Sequence, residues 1–126
     1  MIFRIKYFVT PSGKRPLYEF FDEAHQKDPE MLVAIVASIS KMRNRDNWGG
    51  RLSKQIRGKI YQIRADSSHH FGRVFYCTLP DRSLLLFNGY MKTTNKVDPR
   101  ELAKAEGMEH AFKLKGGSYE LFTEDQ

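Results

Sequence analysis

The stretch that decides the fold runs from residue 59 to residue 92 and reads KIYQIRADSSHHFGRVFYCTLPDRSLLLFNGYMK. It divides into three strands, about residues 60–66, 72–78 and 83–91, each rich in β-branched and aromatic residues. Two four-residue links join them, Ser67-Ser68-His69-His70 and Leu79-Pro80-Asp81-Arg82. Both are short enough for antiparallel hairpins. Leu84-Leu85-Leu86-Phe87 is apolar on both faces, as a central strand requires.

Side chains alternate across a strand, so Tyr61, Ile63 and Ala65 share one face while Gln62 and Arg64 share the other. The apolar set is expected to meet helices. Gln62 and Arg64 are then expected on the uncovered side, with Arg73 on the neighbouring strand and Tyr90 and Lys92 at the end of the third.

Working towards the N-terminus, residues 2–9 (IFRIKYFV) predict another strand, and Thr10-Pro11-Ser12-Gly13 a turn. Pro16 opens a short helix with Leu17, Phe20, Phe21 and Ala24 at helical spacing. Asp28-Pro29 starts a second, with Leu32, Ile35, Val36, Ile39 and Met42 on one face. Residues 44–58 have no clean period and read as a basic loop with room for a short strand. Beyond residue 92, Asp98-Pro99-Arg100-Glu101 signals a last helix, with Glu101 placed to complete a capping box and Gly107 as a potential break. The expected architecture is α+β: two N-terminal helices packed on a curved antiparallel sheet of about four strands, with a C-terminal helix. One domain is expected over residues 1–115, and an acidic, flexible tail over 116–126.

The composition supports one packed core. Of 126 residues, 40% are hydrophobic and 13% aromatic, which argues against disorder throughout. No run is long enough to span a membrane and no signal peptide is visible, so a cytoplasmic protein is expected. Cys77 is the only cysteine and cannot form an internal disulfide. The net charge is +6 and uneven. Nine cations between Lys41 and Arg73 face only Asp46 and Asp66. Such a concentration attracts polyanions through steering and counterion release. The alternative is a solvated charged face.

Arg64, Arg73, Tyr90 and Lys92 suit cleavage of an RNA phosphodiester. The 2′-hydroxyl attacks the phosphate, and arginines and lysines stabilise the charge that builds on its oxygens. A lysine crowded by cations can act as a base. A tyrosine can position the nucleophile, stack on a base or donate a proton. Each residue also has a structural reading. Arg64 and Arg73 can pair with Asp66 or Glu101, Tyr90 can sit at the core edge, and Lys92 can be a surface charge. Trp48 can plug its loop onto the core rather than stack on RNA. His69 and His70 read as solvent-exposed loop residues without a metal-ligand spacing, and Cys77 as a small buried hydrophobe.

Residues 59–102 resemble the end of the HigB-like, phage-derived branch of the RelE/ParE toxin superfamily. The matching features are Ile63-Arg64, then Gly72-Arg73-Val74-Phe75-Tyr76, then Gly89-Tyr90-Met91-Lys92-Thr93-Thr94, followed by Pro99 and Glu101. Gly13-Lys14-Arg15-Pro16 before Glu19-Phe20 resembles the branch's turn into its first helix. The resemblance implies a RelE-like toxin that cuts messenger RNA on the ribosome without metal or cofactor. It also implies a cognate antitoxin with a helix-turn-helix domain, joined to the toxin in a hetero-oligomer. Arg64, Arg73 and Lys92 match the family's basic positions, and Lys54, Arg57 and Lys59 fall in its basic approach region. With Arg51 and Gln62, these three form the set expected to contact RNA. Thr93 replaces the usual second lysine, and Asn88 stands where histidine is common. A ParE-like, gyrase-directed inhibitor and a non-toxic nucleic-acid-binding phage accessory protein are the rival expectations.

Overall fold

The computed structural model describes residues 1–123. The chain runs β1 (Arg4–Val9), α1 (Pro16–Lys27), α2 (Pro29–Lys41), a 3-10 turn (Arg45–Asn47), β2 (Ser53–Arg57), β3 (Ile60–Asp66), β4 (Phe71–Leu79), β5 (Ser83–Lys92), α3 (Pro99–Lys113) and β6 (Ser118–Leu121). The six strands form one sheet in the order β2-β3-β4-β5-β1-β6. Strands β2 to β5 are an antiparallel meander. β1 then lies parallel to β5, with Ile5 opposite Leu84, and β6 closes the far edge antiparallel to β1.

Local chemistry explains the element boundaries. Pro16, Pro29 and Pro99 each stand in the first turn of a helix, where the missing amide hydrogen costs nothing. Asp28 caps α2 by accepting from the Met31 amide, and Asp98 caps α3 by accepting from the amides of Arg100 and Glu101. β2 and β3 join through a tight turn in which Gly58 takes φ +57, a conformation open to glycine.

The sheet is buried on both faces. Leu84 and Leu86 point to one side, into a core with Leu17, Phe20 and Ala24 of α1 and Met31, Ile35 and Ile39 of α2. Leu85 and Phe87 point to the other, against Leu102 and Ala105 of α3. Burying each such Leu, Ile or Phe contributes about 1.5–3 kcal/mol.

Four expectations change. The sheet has six strands rather than about four, and it is mixed, because β1 enters parallel to β5. The extra strands are the two edges, whose residues are mostly exposed and so lack a strong apolar alternation. The face carrying Gln62 is not uncovered, since α3 packs over part of it. α3 passes through Gly107 without a break. Finally, the stretch read as a flexible tail contributes β6 and then Phe122, which is buried in the first core. Glu124 and Asp125, which supply much of that tail's charge, lie outside the described residues.

Candidate functional site: a cationic cleft at the open end of the sheet

The strand register sets the site. Arg64 pairs with Arg73, and Arg73 with Tyr90, so the three lie in one row across β3, β4 and β5. Lys92 lies two residues beyond Tyr90, and Lys54 lies opposite Gln62. All six belong to the face that α3 partly covers. A shared face does not bring their functional groups together, however.

Arg73 is 4% exposed. Its Nη1 donates to the Gly72 carbonyl at 2.7 Å and to the Asp66 carboxylate at 3.1 Å. Its Nη2 donates to the side chain of Asn95. Tyr90 is buried as well, with its hydroxyl accepting from Gln62 Nε2 at 3.0 Å and from the Asp98 amide at 3.3 Å. That amide is the one a capping box would give to Glu101, whose carboxylate instead pairs with Lys104 at 2.8 Å. Gln62 is buried and occupied in this bond, so the expectation that it faces RNA is corrected.

Lys92 is half exposed and lies 2.9 Å from Asp98. The hydrogen bond and charge of that carboxylate raise its pKa. This is the opposite of the depression a lysine base needs. The expected crowding by cations fails because the α3 cap supplies a carboxylate instead. Arg57 is also engaged, forming a two-pronged pair with Glu106 of α3 at 2.5 and 3.0 Å. Lys59 is exposed in the turn, and Lys54 is exposed on β2.

What the structure does assemble is a cleft of about 690 Å³ beside the start of β2. β2 pairs with β3 only as far as Ser53 and Ile63, which leaves the next three residues of β3 without a strand on that side. The Arg64 amide bonds the Leu52 carbonyl instead, at 2.8 Å. Arg64, Ala65 and Asp66 form the floor, with Ser38 and Lys41 of α2, Asn47, Arg51 and Leu52, and Asn95 around them. Lys41 and Arg51 are exposed and Arg64 is half-buried. No side-chain ion pair engages these three among the described residues. Unpaired cations around a concave surface focus positive potential and suit a phosphate chain. Among the described residues Asp66 is the one carboxylate on the lining, and Arg73 holds it from behind.

Of the nine residues expected at the site, the cleft therefore gathers Arg51 and Arg64. Lys41, Asp66 and Asn95 complete it. Lys41 was visible as the first cation of the basic window. Asp66 was visible only as a partner for arginine, and Asn95 carries no sequence signal within its polar loop.

Two neighbouring features follow their structural readings or correct them. Trp48 plugs its loop onto the core, its Nε1 donating to the Met42 carbonyl at 2.8 Å and its ring 4.7 Å from Phe3. His70 is not a free loop residue. Its Nδ1 lies 2.7 Å from the Asp28 carboxylate, which also accepts from Ser67 Oγ at 2.6 Å. These bonds, with Ser67 contributing most, hold Asp28 below the usual carboxylate range and tie the β3–β4 hairpin to the start of α2.

The family described as phage-derived protein Gp49-like (DUF891) matches residues 19–109. The match runs from α1 into α3 and contains every residue of the cleft lining. No curated protein matches the chain.

Proposed function

The chain belongs to the phage-derived Gp49-like family, part of the RelE/HigB-like toxin superfamily, and from that premise we propose that it is a HigB-like toxin that cleaves messenger RNA. The observation that carries the reading is the cleft with three cations, Lys41, Arg51 and Arg64, without an ion pair among the described residues, around one carboxylate, Asp66. The cations bind successive phosphates of a single RNA strand, and Arg64 stabilises the charge that builds on the scissile one. Asp66 takes the 2′ proton, the 2′ oxygen attacks phosphorus, and the 5′ oxygen leaves with a proton from water. Arg73 acts as a positioning residue. It keeps Asp66 and Asn95 in the wall rather than touching the phosphate.

In this reading the protein works in the cytoplasm on translating ribosomes and forms a hetero-oligomer with an antitoxin carrying a helix-turn-helix domain. No metal or cofactor is assigned to the reaction. One observation favours a second reading, a non-nuclease inhibitor or phage accessory protein on the same fold. Arg73, Tyr90 and Lys92 are all engaged by other residues of the chain, the first two of them buried.

Induced expression separates the two. The nuclease reading predicts growth arrest with new 5′ ends inside translated messages, both lost in Arg64→Ala. Growth arrest with intact messages and broken DNA favours the gyrase-directed inhibitor. No arrest, together with RNA binding that weakens steeply with salt, favours the accessory protein.

A further inference from the structure

A second, smaller cavity of about 230 Å³ opens beside the cleft. Its walls are Trp48, Tyr61 and Tyr76, its floor includes Ser53, and Arg45 and Lys54 stand on its lining. The Tyr61 and Tyr76 rings lie 5.6 Å apart and Trp48 lies 6.4 Å from Tyr76. Arg45 stacks on Trp48 with its guanidinium carbon 4.5 Å from the ring.

Tyr76 is 1% exposed, yet its hydroxyl makes no well-formed hydrogen bond among the described residues. A buried hydroxyl left without a partner is costly, and such groups are uncommon unless a ligand or water completes them. Ser53 Oγ, which already accepts from the Gly49 amide at 2.8 Å, interacts with this hydroxyl only weakly and in poor geometry. Burial pushes the Tyr76 pKa up to about 12, so the group stays a donor at neutral pH.

We propose that this aromatic cavity is a nucleobase subsite, which takes one base of an RNA strand whose backbone runs on into the cationic cleft. Three features select a base over another apolar group. Every base has a π-face to stack on tyrosine and tryptophan. Every base carries polar edge atoms that can pair with the Tyr76 hydroxyl. The phosphate attached to the base meets Arg45 and Lys54 at the rim. The size agrees, being below the roughly 300–1,000 Å³ typical of sites for drug-sized ligands. The two cavities are also contiguous in the chain. Arg51 and Leu52 line the cleft, and Ser53, Lys54 and Gln55 line the aromatic cavity. The inference deepens the nuclease reading but rests on a separate set of residues.

Trp48 is the only tryptophan, so its emission reports on this cavity and on the loop it anchors to the core. The full chain is titrated with a 2′-O-methyl RNA hexamer, which lacks the attacking hydroxyl and cannot be cut. A hexamer of the same backbone without bases serves as the second arm. The base-bearing hexamer should change Trp48 emission saturably, and the abasic one should not. Tyr76→Phe, which keeps the ring and removes the hydroxyl, should weaken the response about tenfold. Tyr61→Leu should weaken it roughly 5- to 100-fold. Arg64→Ala should retain a Trp48 response, so loss of cleavage and loss of base binding are read independently. Equal responses to both hexamers, no response at all, or an unchanged affinity in Tyr76→Phe would overturn the subsite.

Discussion

The buried guanidinium of Arg73 donates to the largely exposed carboxylate of Asp66 across 3.1 Å, at the rim where β3 runs on past its edge partner. One arginine inside the sheet thus orients an acid on its surface. The same guanidinium reaches Asn95 in the loop after β5, so two walls of the cleft depend on it.

Removing this clamp should cost stability first. Arg73→Ala leaves the Gly72 and Ala65 carbonyls and Asp66 without their donor. Urea unfolding should show a loss of about 2–3 kcal/mol, in the range for hydrogen bonds to charged groups. Arg73→Lys should recover only part of it, because an ammonium cannot reproduce the planar fork. A variant as stable as the wild type would mean that the clamp does not hold the wall.

Arg64 should behave in the opposite way. Its side chain has no ion pair among the described residues and lines open space. Arg64→Ala should change stability by less than about 1 kcal/mol while abolishing growth arrest. Parallel urea curves and growth curves check both halves of this contrast.

The closing strand should loosen in acid. Arg15 and Tyr7 both bond to Glu120, and these contacts, with Arg15 dominant, hold its pKa down to about 2 from an ordinary 4.5. A depressed carboxylate pKa adds stability above the unfolded value and loses it as pH falls towards the folded one. Amide exchange in β6 should therefore be slow and nearly constant above pH 4.5 once corrected for intrinsic rates. Protection should then fall between pH 4.5 and 2. Glu120→Gln should remove that dependence. A wild-type profile matching the variant's would show that the cluster does not tether β6.

Gly89 on β5 should tolerate no side chain. A Cβ there would lie 2.4 Å from Cδ2 of Phe20, which is itself 4% exposed. Gly89→Ala should lower stability by about 1–3 kcal/mol through overpacking, measured as a shift in the urea midpoint with an unchanged slope. An unshifted midpoint would mean that α1 can move away freely.

The sequence made the centre of the fold legible because its signals were local. β3 has the expected residues, and β4 and β5 differ from expectation by one residue at their ends. Prolines and capping aspartates marked the helix starts. The edges were harder. Ser53–Arg57 owes its strand form to its hairpin partner β3 and Ser118–Leu121 to β1, distant in sequence, rather than to any apolar alternation of their own. The site was half legible for a related reason. Alternation placed Arg64, Arg73 and Tyr90 on one face, but no periodicity reveals that a buried arginine will find Asn95, or that Asp98 will reach Lys92. Those partners arrive through the loop between β5 and α3, whose path only the folded chain fixes.

The most direct test of the proposed nuclease uses purified protein, translating ribosomes and an end-labelled message. Primer extension on the wild type should reveal discrete cuts within the translated region. Arg64→Ala and Asp66→Asn should leave the message whole, with both variants folded by circular dichroism. Uncut message with the wild type, or cuts of undiminished strength from either variant, would contradict the assignment of the cleft as the place where RNA is broken.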